Sequence, residues 1–191
     1  MELVVDNVNE AFSEIFWKLK VLKLKPQQTR NGPALVYPGV VTTTYRYPEE
    51  RVLFDPHRDA NPIFHLMEAI WMIAGRKDVG FVSQLIDVIN LLRTDPSTRQ
   101  AVVQMWDSQD LYKKTIDKAC NTQIVFQIIN DRVVMTVFNR SNDIWWGAYG
   151  ANAVHFSFLQ EFVARSLGLE VGVYNQISVN FHLYTELYDI G

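Results

Sequence analysis

The chain holds a single cysteine, nine glycines and seven prolines among its 191 residues, and its formal net charge is only −3. One thiol cannot close an internal disulfide, so a reducing, cytoplasmic-type compartment is the simplest home. The small net charge speaks against broad electrostatic binding to nucleic acid, and an anionic ligand has to be held by a few placed arginines. No apolar run approaches the length of a membrane span, and the N-terminus lacks the basic and apolar regions of a signal peptide. What is present, 48% hydrophobic and 20% charged residues, suits one soluble globular domain over 1–191 with a substantial core.

Chemistry-bearing residues concentrate between Lys118 and Asn152. Thr122–Ile129 and Arg132–Asn139 are rich in β-branched and aromatic residues and flank Asn130-Asp131, the pattern of an antiparallel hairpin with a tight turn. Such a hairpin brings Cys120 and Arg140 together at its open end. A cation beside a sulfur favours the nucleophilic thiolate; taken alone, the pair reads equally as a small core residue and a surface cation. Ser141, Asn142 and Asp143 follow, then Trp145-Trp146-Gly147-Ala148-Tyr149-Gly150 and Asn152. Two adjacent tryptophans beside polar groups suit the wall of a pocket for a flat heterocycle.

Elsewhere the spacing of apolar residues predicts helices over Val8–Leu22, Asn61 to about Gly75, Phe81–Leu92 and Ala153–Leu167, the last ending at Gly168. Strands are predicted over Ala34–Tyr47, broken at Pro38-Gly39, over Gln100–Trp106 and over Val171–Tyr184, with Gln27–Pro33 as a polar turn. On the helix after Asn61, Glu68 stands among Ile63, Leu66, Met67, Ile70 and Trp71 with no cation at a neighbouring helical position. A carboxylate there either reaches solvent or handles protons. His182 and Tyr184, two apart on a strand, share a face.

The order Cys120, Arg140-Ser141-Asn142-Asp143, Gly147, Asn152 and Phe181-His182-Leu183-Tyr184, over most of the chain, resembles the thymidylate synthase and pyrimidine hydroxymethylase family. The resemblance implies an α/β (α+β) fold in which a large mixed sheet packs against helices, with its outer face at a homodimer interface. It implies Cys120 as nucleophile, and Arg140 as a partner of thiolate and phosphate. Glu68, in a Glu-x-x-Trp element with Trp71, would be the proton-handling acid. Asp143 and Asn152 complete the catalytic set, and Ser141 joins Arg140 and Asn152 at the nucleotide. Arg30 corresponds to a phosphate-binding turn arginine, although an arginine before Asn-Gly is by itself an ordinary solvated residue. Arg99 corresponds to the first of a pair that reaches the partner subunit's nucleotide, with Gln100 replacing the second; a lone guanidinium still binds phosphate bidentately. His182 and Tyr184 would hold the ribose, and Trp71, Asp143 and Gly147 the folate. The implied co-substrate is 5,10-methylenetetrahydrofolate, with no metal, no nucleic acid and no membrane; a viral gene would place the protein in the host cytoplasm.

Family members carry a longer insert with a Tyr-Gly-x-x-Trp-Arg-like run and continue past the His-x-Tyr motif; neither is found here, the insert's place being near 84–85. Either this is a reduced variant or parts of a longer protein are omitted. For the base, a carboxamide at Asn152 matches uracil better than cytosine, which favours dUMP. For the product, Ala119 and Asn121 stand where synthases have Pro and His, and the Arg-Ser-Asn-Asp run is hydroxymethylase-like. This narrowly favours hydroxymethylation, with Asn121 and Asn142 holding the water. The alternatives are a true synthase making dTMP and a non-catalytic nucleotide-binding paralogue.

Overall fold

Fifteen residues from Glu170 to Tyr184 form one strand through the middle of the molecule, and the other strands are arranged along it. The computed structural model describes residues 1–74, 79–112, 114 and 118–188. Its elements are β1 (Glu2–Val5), α1 (Val8–Leu22), β2 (Pro26–Thr29), β3 (Gly32–Val36), β4 (Val41–Tyr45), α2 (Pro62–Ala74), α3 (Val79–Thr94), β5 (Val102–Gln104), β6 (Asn121–Ile129), β7 (Arg132–Asp143), α4 (Asn152–Leu167) and β8 (Glu170–Tyr184). The strands form one mixed sheet in the order β1-β4-β8-β7-β6-β5. β7 and β8 are parallel, while the far half of β8 also takes β3 antiparallel, which in turn pairs with β2.

Alternation decides what each face does. Val133, Met135 and Val137 of β7, with Ile124 and Phe126 of β6, point inward and are fully buried against the helices; each such side chain stabilises the fold by ~1.5–3 kcal/mol. Val125, Val134, Phe138 and Ile177 point the other way and are half-buried. The apolar excess of the strands thus divides between a core face and an outer face.

Asn130 and Asp131 both adopt the left-handed conformation, φ 51° and 58°, as the predicted tight hairpin turn requires and as these two residue types tolerate. α1 matches its predicted span, capped by the Asn7 side chain, which accepts from the Asn9 and Glu10 amides. Three predictions need adjustment. Half of the turn expected at Gln27–Pro33 is strand, because Pro26–Thr29 finds β3 as an antiparallel partner and only Arg30-Asn31 is left to turn. The strand expected over Gln100–Trp106 shortens to β5, whose ladder with β6 covers Val102–Gln104. Trp145 is no pocket wall: it is 3% exposed and packs on Phe12 and Phe16 of α1, ring centroids 5.5 and 5.9 Å away. The expected insertion point near 84–85 falls within the continuous helix α3.

Candidate functional site

β3, β7 and β8 carry their polar residues to one end of the sheet, where a cleft of about 380 Å³ is lined by Thr29, Arg30, Asn31, Arg140, Ser141, Asn180, His182 and Tyr184. Register explains the grouping. Ser141 pairs with Asn180 and Asp143 with His182 along β7 and β8, while Ala34 of β3 pairs with Tyr184. The His182 and Tyr184 rings meet edge to face, centroids 5.4 Å apart. Asn31 in the β2–β3 turn donates to the Tyr184 hydroxyl at 3.4 Å, which ties the turn carrying Arg30 to the end of β8. Arg30, Arg140, Ser141, His182 and Tyr184, singled out from the sequence at wide separations, therefore share one concavity.

Cys120 is exposed at the start of β6. The Arg140 amide donates to the Cys120 carbonyl at 2.9 Å, so the hairpin closes the two together as its sequence predicts. The guanidinium braces the chain that leads into the cysteine: Nε donates to the Ala119 carbonyl at 3.0 Å and Nη2 to the Lys118 carbonyl at 2.8 Å. The Trp106 indole N–H donates to that same Ala119 carbonyl at 2.7 Å. The peptide before the nucleophile is thereby fixed from two sides.

Beyond Arg140 the chain stays extended to Asp143, then tightens into a π-helical turn over Ile144–Ala151. Asp143 Oδ1 caps this turn by accepting from the Trp146 amide at 2.6 Å. Its Oδ2 is buried without a hydrogen-bond partner and lies 3.9 Å from His182 Nε2. Burial pushes the Asp143 carboxyl above its ordinary range, against the Trp146 amide and the His182 side chain, which pull it down. Gly147 is required by space, since a Cβ there would lie 2.8 Å from Asn142 Oδ1. Gly150 admits Arg58, whose Nη2 would be 3.2 Å from a Cβ. Arg58 is buried; it donates from Nε to the Trp145 carbonyl at 3.0 Å and stacks over Trp146 at 4.4 Å. Sequence reading passed Arg58 over as part of a charged connection; its one signal is the aromatic, glycine-containing turn that needs a partner.

Asn152 opens α4 and donates to Asn142 Oδ1 at 2.9 Å. Asn142 is 2% exposed and uses its own Nδ2 on Gln176 Oε1 and the Ser178 hydroxyl, at 2.6 and 2.9 Å. Asn121 donates to Asn139. These contacts correct the expectation that Asn121 and Asn142 hold a water: both Asn142 N–H groups are taken, and the residue instead orients Asn152. The Asn152 carbonyl oxygen remains available to accept an N–H.

Glu68 finds its counterpart across the helix pair, where the sequence showed none along α2: His155 Nε2 of α4 is 3.3 Å from Glu68 Oε2. Trp71 is 53% exposed on α2. Arg99 is exposed and does not line the cleft.

A long central strand in a mixed sheet, with a cysteine, an arginine-serine pair, an asparagine and a His-x-Tyr element ordered around it, defines the thymidylate synthase fold. The chain belongs to the thymidylate synthase family, whose model, described as thymidylate synthase, matches residues 52–190. Over 95% of its length it is 44% identical to a deoxyuridylate hydroxymethyltransferase of Pseudomonas phage M6, of which the match covers 61%. A second deoxyuridylate hydroxymethyltransferase, from Bacillus phage SP01, is 31% identical over 78% of the chain and 50% of that protein. A thymidylate synthase of Listeria monocytogenes serotype 4a (strain HCC23) is 28% identical over 54% of the chain and 32% of that protein. The chain thus spans between half and two thirds of the length of the two hydroxymethyltransferases it matches.

Proposed function

We propose that the chain transfers a one-carbon unit from 5,10-methylenetetrahydrofolate to C5 of dUMP and that water completes the reaction as a hydroxymethyl group. The observation that carries this reading is the cleft itself. Arg30 and Arg140 supply charge for a phosphate, His182 and Tyr184 supply hydrogen bonds for a ribose, and Cys120 stands beside Arg140. The likeness to two proteins named deoxyuridylate hydroxymethyltransferase favours the hydroxymethyl over the methyl product.

Each residue then has a chemical task. C5 of a pyrimidine is a poor nucleophile until the Cys120 thiolate adds at C6 and makes it enolate-like. Arg140 holds the backbone before Cys120 still, leaving Nη1 for an anion. Asn152 accepts the uracil N3–H through its unpaired carbonyl oxygen. The folate supplies the one-carbon unit. Asp143 fits a pterin edge, because its buried Oδ2 lacks a donor and a pterin presents N–H groups. Gly147 allows close approach beside it, and Trp71 offers an exposed aromatic face. Glu68 serves proton transfers.

The half-buried outer sheet face, with Val125, Val134, Phe138 and Ile177, fits a second copy of the chain. Arg99 acts in trans on the partner's phosphate in that assembly.

The test is to incubate the full-length protein with dUMP and methylenetetrahydrofolate, identify the nucleotide by mass and follow the folate. Tetrahydrofolate with 5-hydroxymethyl-dUMP is the expected pair. Dihydrofolate with dTMP would make the protein a true synthase, and preference for dCMP would remove Asn152 as the reader of the base.

A further inference from the structure

Capture by water needs a group that takes the water's proton, and Asn121 and Asn142 are committed to internal hydrogen bonds. His155 Nε2 is different. It is buried, has no hydrogen-bond partner, and belongs to a side chain only 18% exposed. Glu68 Oε2 lies 3.3 Å away but out of line, so the carboxylate attracts the ring without occupying the nitrogen. His155 follows Asn152 by three positions on α4, which puts the two on neighbouring parts of one helix face. Asn152 is anchored to Asn142 at the end of β7, so this helix face adjoins the polar residues of the site. His65, buried on α2, meets the His155 ring edge-on at 6.1 Å and limits how it can turn.

Resting on the hydroxymethylase reading of this site, we propose that His155, with Glu68 beside it, is the general base that activates the water adding to the exocyclic methylene of the bound pyrimidine. The water oxygen bonds to the exocyclic carbon, and the carbon–carbon π pair moves into the ring as an enolate. That pair then re-forms the C5–C6 double bond as the Cys120 thiolate leaves. The water proton passes to His155 Nε2, and Glu68 stabilises the imidazolium. Nothing is oxidised or reduced, and the only co-reactant is solvent water.

The electrostatics suit a base. Burial holds the His155 imidazole below its ordinary range; Glu68 pulls it up, and His65 adds to the lowering. The facing groups are Glu68 and His65 of α2, and His65 is itself lowered by burial and by Arg58. His155 is therefore neutral near pH 7 and able to accept a proton.

Single-turnover experiments on the full-length protein with dUMP tritiated at C5, and with methylenetetrahydrofolate, separate the steps. Tritium release reports addition by Cys120, one-carbon transfer and loss of the C5 hydrogen; the hydroxymethyl product reports capture of water. In His155→Gln, tritium release is expected to stay within about threefold while product formation falls on the order of 10²-fold. In His155→Ala, added imidazole is expected to restore part of the product. The wild-type rise of product formation with pH should disappear in both variants, with dUMP affinity by calorimetry unchanged. A wild type that hydroxymethylates beside a His155→Gln variant that does so equally fast, or one that loses tritium release in proportion, overturns the proposal while leaving the reading of the site intact. Formation of dTMP and dihydrofolate by the wild type overturns that reading and the proposal with it.

Discussion

The strand-built cleft around Arg140 and the helix that carries Glu68 are held by different forces. In the cleft, every functional side chain has a ladder position: Ser141 opposite Asn180, Asp143 opposite His182, Ala34 opposite Tyr184. Hydrogen bonds then fix what register leaves loose, as where Arg140 grips the Lys118 and Ala119 carbonyls. α2 has little of this. Only His65 and Ala69 of the helix are buried, while Ile63, Phe64, Met67, Ile70 and Trp71 are each more than half exposed. A helix apolar on nearly all sides ordinarily sits inside a larger core, yet among the described residues α2 rests chiefly on α4. A nucleotide can therefore meet a preformed cleft, whereas α2 holds Glu68 through fewer contacts.

Replacing one residue in each setting sharpens this contrast, starting with the largest effect. Cys120→Ser should lower turnover by at least about 10³-fold with nucleotide affinity nearly unchanged, because the thiol enters only the covalent steps while the cleft binds without it. Rapid-quench kinetics and calorimetry check both halves; a retained rate would remove Cys120 from the chemistry.

A second substitution attacks the scaffold beneath the cleft. Where the β7–β8 register shifts between Val133 and Met135, Gln160 Nε2 donates to the Val133, Gly172 and Val173 carbonyls at 2.8, 3.0 and 3.0 Å. Gln160→Leu leaves these carbonyls without that donor and should cost about 1–3 kcal/mol in urea unfolding. A neutral result would show that the bulge does not depend on the amide.

The smallest effect belongs to α2. Ile70→Gln replaces a side chain 51% exposed and should change stability by no more than about 0.5 kcal/mol. A loss above about 1.5 kcal/mol, read by the same unfolding titration, would mean that further protein covers this face and that α2 is as firmly packed as the strands.

The residues of the cleft were legible from the chain because their chemistry is local and ordered: a cysteine and an arginine at the ends of one hairpin, and two polar rings two apart on one strand. The turn at Asn130-Asp131 and the capped span of α1 were legible for the same reason, since short-range sterics and hydrogen bonding specify them. Trp145 was misread because adjacency to Trp146 says nothing about which ring turns inward; α1, more than a hundred residues earlier, decides that. Glu68 was seen as a carboxylate without a partner because its partner lies on another helix. Burial and partner choice are properties of packed elements, and only the tertiary structure could show that Asn142 has no N–H left for a water while His155 has a nitrogen to offer.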